Sequence, residues 1–294
     1  MAEALVLGGG GVGGVAWITG LLVGLTDVGQ DVTGADVIVG TSAGSTVAAQ
    51  LGRGLGVDEL YAWQVEPELQ TTEIAVNVDL ESFVAEIAGV MRNASTIPDM
   101  RRAVGKFALD AATVPEPERR AVIESRLPSH EWPVRALKIV AVDAESGAPR
   151  VFENGSGVSL VDAVTASCAV PGIWPPATID GRRYIDGGVR SSANADYAVG
   201  ALRVLVIVPM GNAELFPSEK PLTQAVDELR AGGAEVVIVE PDEASRAAIS
   251  TNPLDPSTRK PAAEAGRAQG RGLKIEWSRS RPYARPTVRR HGHA

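Results

Sequence analysis

The first fifty residues alternate between short apolar runs and longer segments with helical spacing. Residues 4–7 form an unbroken apolar run of strand length, and a run of glycines follows at once. Residues 15–25 then carry Ala16, Ile18, Leu21, Leu22 and Leu25, which would make a broad apolar surface on a helix. A second, β-branched run over residues 36–39 leads into Gly40-Thr41-Ser42-Ala43-Gly44, after which residues 45–51 read as a helix. Strand, helix, strand, helix in this order predicts a mostly parallel sheet with helices packed outside it.

Between residues 52 and 133 the strand-like runs disappear. Helical segments are expected at 80–92, 98–112 and 115–126, where Phe83, Ile87, Val90 and Met91, and then Val104, Phe107 and Ala108, keep helical spacing. Such an insertion could cap a site or could simply add helices to the sheet, and both readings stay open. Strands resume at 136–142 and 150–152, and a helix over 160–169 stops at Pro171-Gly172. Residues 177–185 predict a hairpin turning on Asp180-Gly181, with its second strand running straight into Asp186-Gly187-Gly188. Further strands are expected at 202–208 and 236–239, and a last helix at 257–269. After Leu273 no apolar face recurs, so residues 273–294 read as a loose tail.

Composition narrows the class without choosing a function. A chain of 294 residues with 45% hydrophobic and 22% charged residues suits an ordinary globular α/β domain. We divide it into a core at 5–200, a C-terminal part of the same domain at 201–272, and the tail. A net charge of −8 speaks against nucleic acid as the main partner. The tail is the exception: from Lys274 to Arg290 it holds six Lys or Arg residues and one Glu. It could touch an anionic membrane peripherally, at about 1 kcal/mol per cation, or stay solvated. Cys168 is the only cysteine, which excludes an internal disulfide and marks it as a packing residue. Residues 5–25 are uncharged and long enough to span a membrane, but their central glycines are poor helix material. They read instead as strand, loop and helix. With no basic segment before them, the expected location is cytoplasmic.

Three glycine-flanked positions carry the candidate chemistry. Gly-x-Ser-x-Gly between a strand and a helix is the setting of a nucleophile elbow, which would project Ser42 toward the positive end of the following helix. A serine needs a base. His130 lies in a proline-bracketed loop, and His291 and His293 lie in the last four residues, so none is expected to serve. Asp186, just past a strand end and before two glycines, could accept the proton directly. An ordinary aspartate, at a pKa of about 3.9, is a weak base, so burial and a close hydrogen bond would have to assist it. The competing reading is a plain Asp-Gly turn. Gly9-Gly10-Gly11-Val12-Gly13-Gly14 offers backbone N–H groups for an oxyanion. It also satisfies G-x-G-x-x-G, which keeps a Rossmann-type NAD(P)-binding oxidoreductase as a rival. That pattern expects an acidic residue at the end of the second strand, where this chain has Gly40-Thr41-Ser42; Asp27 and Asp31 come too early. The sequence has no His- or Cys-rich ligand spacing, so neither a metal nor an organic cofactor is expected.

The glycine loop, Gly40-Thr41-Ser42-Ala43-Gly44 and Asp186-Gly187-Gly188, in this order, resemble the patatin-like phospholipase family. The block Ala166-Ser167-Cys168-Ala169-Val170-Pro171-Gly172-Ile173-Trp174-Pro175-Pro176 is similar to the family's small-residue and proline segment. The resemblance covers residues 5–200. It implies a three-layer α/β/α fold, with the helical insertion at about 52–133, and a lipid acyl hydrolase of phospholipase A or lysophospholipase type. It implies a Ser-Asp dyad working through an acyl-enzyme: Ser42 as nucleophile, Asp186 as base, and Gly9, Gly10 and Gly11 as oxyanion hole. Gly14, Gly40, Gly44, Gly187 and Gly188 are its motif glycines. Many members carry Arg or Lys where this chain has Gly13, which leaves phospholipids and neutral esters both open as substrates. A lipid-binding domain without catalysis is the remaining reading.

Overall fold

In the computed structural model, which describes residues 2–52, 55–76, 80–212 and 214–277, the apolar runs assemble into one eight-stranded sheet. Strands β1 (Glu3–Leu7), β2 (Val37–Thr41), β3 (Ala136–Asp143), β7 (Arg203–Ile207) and β8 (Glu235–Val239) are mutually parallel, in the order β3-β2-β1-β7-β8. Antiparallel additions sit beside β3: β4 (Pro149–Phe152), and the hairpin of β5 (Ala177–Ile179) and β6 (Arg182–Asp186).

Successive residues of a strand point to opposite faces, so a strand covered on both sides must be apolar throughout. On β1, Leu5 and Leu7 enter one core while Ala4 and Val6 enter the other. The first core is filled by α1 (Gly11–Asp27), α2 (Ala43–Gly52), α7 (Leu160–Ser167) and α10 (Arg259–Gly272). On the other face lie α8 (Leu222–Ala231), through Leu222, Ala225, Val226 and Leu229, and a short 3-10 turn at Ala195–Ala198. Helices therefore cover both faces of a mostly parallel sheet, the three-layer arrangement the sequence implied.

The insertion is helical, as expected, but its parts go to different places. α3 (Val57–Val65), which the periodicity did not reveal, buries Leu60 in the α1 core. α4 (Leu80–Met91) and α5 (Ile97–Asp110) build a third cluster in which Ile87, Met100 and Val104 meet Val142 and Ile185. α6 (Glu116–Ser125) packs Ile123 into the first core. α8 and a short α9 (Glu243–Ile249) were also not anticipated. Residues 5–25 resolve into β1, the glycine loop and α1, and no helix among the described residues is long and apolar enough to cross a membrane. Most of the basic tail, with His291 and His293, lies outside the described residues.

Candidate active site

Ser42 follows the last residue of β2 and adopts φ 51°, a left-handed conformation uncommon for a non-glycine residue. Its surroundings hold that turn on every side. The Ser42 N–H donates to Ser167 Oγ at 2.9 Å, and Ser167 Oγ donates to Val140 O at 2.6 Å. The Ser42 carbonyl accepts from Ser45 N–H at 2.9 Å, Ser45 Oγ at 2.6 Å and Cys168 Sγ at 3.3 Å. Cys168 is thus more than the packing residue expected. Burial and the nearby Asp186 push its thiol pKa up, which keeps it protonated and able to donate to the elbow. The two motif glycines are demanded by close approach. A Cβ on Gly40 would lie 2.6 Å from Ser45 Cα, and one on Gly44 would lie 2.0 Å from Leu7 O.

The glycine loop brings its backbone to the same place. A Cβ on Gly9 would rest 3.5 Å from Ser42 Cβ. The Gly9 amide, however, already donates to Ser192 O at 2.9 Å, so it is not free for an oxyanion, contrary to the expectation for the three glycines together. Gly10 and Gly11 donate to no described residue; they open α1, where amides lack intrahelical acceptors and the helix dipole is positive. Ala43 N–H at the start of α2 is equally without a partner among the described residues. Sequence reasoning passed over it, although the residue after an elbow serine is the usual second oxyanion donor.

Asp186 ends β6 and is 5% exposed. Its N–H donates to Ala169 O, and its Oδ1 accepts from Gly188 N–H at 2.7 Å. Oδ2 is buried with no hydrogen bond among the described residues. Burial pushes the Asp186 pKa up to about 6; the Ser42 hydroxyl, the Gly188 amide and the Arg119 charge each pull it back down. Ser42 is therefore within electrostatic reach of the carboxylate, while their hydroxyl–carboxylate contact stays outside normal hydrogen-bond geometry. Catalytic hydrogen bonds are commonly loose before substrate binds. A Cβ on Gly187 would lie 2.2 Å from Val140 O, which explains the first glycine after Asp186.

Ser42, Asp186, Gly9, Gly10, Gly11 and Gly188 all line one cavity of about 410 Å³. Its other walls are largely apolar, including Val170, Ile173, Val189 and Phe216, and α4 adds Phe83 and Val84. One part of the insertion therefore does wall the site. His130 is elsewhere, half exposed with Nδ1 3.4 Å from Glu124 Oε1. Asp27 pairs with Arg267 and Arg271, and Asp31 caps its own turn at Thr33, so neither acid stands ready for a ribose. Among the described residues no group of three or more His, Cys, Asp or Glu is placed to hold a metal ion.

A strand, a left-handed serine and a helix on a mostly parallel sheet define an α/β protein built around an elbow turn. The family model for patatin-like phospholipases matches residues 5–199, more than half of the chain, and the chain belongs to that family. This removes the dinucleotide-binding reading. Uncharacterized NTE family proteins of Mycobacterium bovis and Mycobacterium tuberculosis are 28% identical over 186 residues, covering 63% of this chain and 42% of theirs. The match thus spans less than half the length of these relatives. Among solved structures, VipD from Legionella pneumophila aligns over 92% of this chain and 66% of its own, at 12% identity and a TM-score of 0.43. Full-length ExoU of Pseudomonas aeruginosa aligns over 92% of this chain and 52% of its own, at 17% identity and a TM-score of 0.34.

Proposed function

We propose that the chain is a serine acyl hydrolase acting on carboxylic esters of lipids, with Ser42 as nucleophile and Asp186 as base. One observation carries this reading: both side chains line a single apolar cavity, beside the unpartnered amides of Gly10 and Gly11. With a pKa near 6, Asp186 is ionised at neutral pH and closer than an ordinary aspartate to the optimum for a general base. It takes the Ser42 proton as Oγ attacks the ester carbonyl. The amides of Gly10, Gly11 and Ala43, at the positive ends of α1 and α2, receive the oxyanion. Collapse expels the alcohol, which takes the proton from Asp186. Water, deprotonated by Asp186, then releases the fatty acid and restores Ser42.

The cavity favours an acyl chain over a short acid, since each buried methylene is worth about 0.8 kcal/mol. Val84, Met210 and Leu215 line it and are also exposed, an apolar mouth that suits a lipid. Residues 5–272 act as one unit in this reading, and the lone buried thiol of Cys168 fits a reducing compartment such as the cytoplasm. The test is Ser42→Ala. We expect turnover of a long-chain acyl ester to fall roughly 10⁴-fold or more, and labelling by a fluorophosphonate to disappear, with circular dichroism unchanged. Labelling that persists at another residue would remove Ser42 from the mechanism. Lipid binding by a wild-type chain that turns over no ester would favour the non-catalytic reading.

A further inference from the structure

Ser42 also lines a second cavity of about 20 Å³, room for roughly one water-sized group. Its walls include Ala43, Glu73, Arg119, Arg126 and Trp174, so it is cationic where the larger cavity is apolar. Glu73, 3% exposed at its side chain, is the focus of three buried arginines. Arg126 grips both its oxygens, with Nε 2.9 Å from Oε1, and Arg259 Nη2 bonds Oε1. Arg119 is left out. Its Nη1 comes no closer than 3.9 Å to Glu73, and its guanidinium makes no hydrogen bond to any described residue. It lies instead over the Trp174 ring, 3.8 Å from the centroid, and Trp174 Nε1 is likewise buried without an acceptor.

Two carboxylates, Glu73 and Asp186, face three guanidiniums, which leaves one positive charge uncompensated. Burial lowers the Arg119 pKa to about 10, far enough above neutral pH that it stays charged. A buried cation without hydrogen bonds is unfavourable unless an anion completes it. We propose that Arg119 and Trp174 Nε1 form an anion subsite beside Ser42 that receives a phosphoryl oxygen from the alcohol side of the substrate. The chemistry selects the group: the acyl side of a lipid ester is apolar and belongs in the large cavity, and the common anion on its alcohol side is a phosphate. The cation beside Ser42 thus comes from α6 of the insertion. The inference rests on the hydrolase reading and adds a headgroup preference to it.

The experiment compares 1-acylglycerol 3-phosphate with the neutral 1-acylglycerol of the same chain. Wild type should prefer the phosphate ester. Arg119→Gln should reduce kcat/KM for it at least about tenfold more than for the neutral ester, mainly through KM. Any change in the shared base Asp186 cancels in that ratio. Equal losses on both substrates, or no wild-type preference, overturn the subsite while leaving the hydrolase standing. Absence of all ester turnover and of probe labelling would instead sink the hydrolase reading. The subsite then still stands or falls on binding: inorganic phosphate should raise the melting temperature of wild type but not of Arg119→Gln, and a shift in both or neither overturns it. Inorganic phosphate that inhibits neutral-ester turnover as tightly as the phosphate ester binds would identify free phosphate as the ligand and overturn the headgroup assignment. Should Arg119→Gln not fold, Trp174→Phe keeps the ring and removes the donor. It should shift the same ratio about threefold, and an unchanged ratio overturns the proposal.

Discussion

A Cβ on Gly9 would rest 3.5 Å from Ser42 Cβ, an ordinary contact, whereas one on Gly20 would sit 2.0 Å from the carbonyl oxygen of Ala263. The first glycine lets the backbone border a cavity; the second lets two helices touch. Along α1 and α10 the second arrangement repeats in both directions: Gly24 against Arg267 O, Gly266 against Trp17 O and Gly270 against Leu21 O, at 2.3 to 2.4 Å. Residues four apart share a helix face, so Gly20 and Gly24 meet Gly266 and Gly270 as two matched stripes. One residue type thus serves chemistry at the loop and packing on the helices. Changes near the loop should show in rate with the fold intact, and changes on the stripes should show in stability with the specific rate intact.

Asp186→Asn gives the largest expected separation. On the proposed mechanism it removes the base, and kcat/KM should fall about 10³-fold or more. Stability should move the other way. The folded pKa of about 6 lies above the ordinary 3.8, so at pH 8 the ionised carboxylate is penalised by folding. Removing that charge should stabilise the chain at pH 8 by about 2–3 kcal/mol in denaturant titrations. As pH falls through 6, the folded wild type takes up a proton that the unfolded chain binds only near 3.8, so its stability rises and the variant's advantage vanishes. The wild-type rate should fall about tenfold per pH unit below 6, since the base is then protonated. A near-wild-type rate would exclude Asp186 as base, and a variant less stable at pH 8 would make the carboxylate structural.

Gly20→Ala probes the other side. Its methyl would meet the Ala263 backbone, which cannot swing aside as a side-chain tip can, so α1 and α10 must separate. Overpacking of this kind costs about 1–3 kcal/mol, against a gain of about 1 kcal/mol in helix propensity. We expect a net loss of up to about 2 kcal/mol in urea unfolding, with kcat/KM per folded molecule within about twofold of wild type. A specific rate that falls with stability would show that the two regions are coupled and would break the comparison.

The same contrast explains what could be read from the sequence. β1, β2, the elbow and the Asp180-Gly181 hairpin were legible because buried strands are continuous apolar runs and tight turns carry their own residues. α10 was foreseen as a helix, but its partner was not: its small residues leave no apolar stripe to read, only gaps that α1 fills. α3 and α9 escaped because each is short and buries only two residues. At the site, the residues flanked by glycine were found, while the availability of individual amides was not. Whether Gly9 is free depends on Ser192, which no local pattern connects to it. Arg119 and Arg126 stand seven apart along α6 and its cap, but Glu73 and Arg259 come from distant segments, so only the folded chain shows one arginine left without a hydrogen bond among the described residues.

Gly13 lies on the boundary between the two regions and gives the smallest expected effect. It belongs to the first turns of α1, yet it faces neither Ser42 nor the stripe on α10. A Cβ there would meet Thr258 Oγ1 at 3.1 Å, Ile249 Cγ2 at 3.4 Å and Ile249 O at 3.5 Å, so its one tight contact is a side-chain hydroxyl and the carbonyl stands at ordinary van der Waals distance. The tight contact with Thr258 opposes a helix-propensity gain of about 1 kcal/mol, and the two nearly cancel. Gly13→Ala should therefore change the unfolding free energy by less than about 1 kcal/mol and leave kcat/KM within about twofold. A clear loss of stability would extend the packing region to the very start of α1. A clear loss of rate at unchanged stability would extend the loop's chemistry one turn into the helix, and would make the missing cation at this position a matter of catalysis as well as of substrate choice.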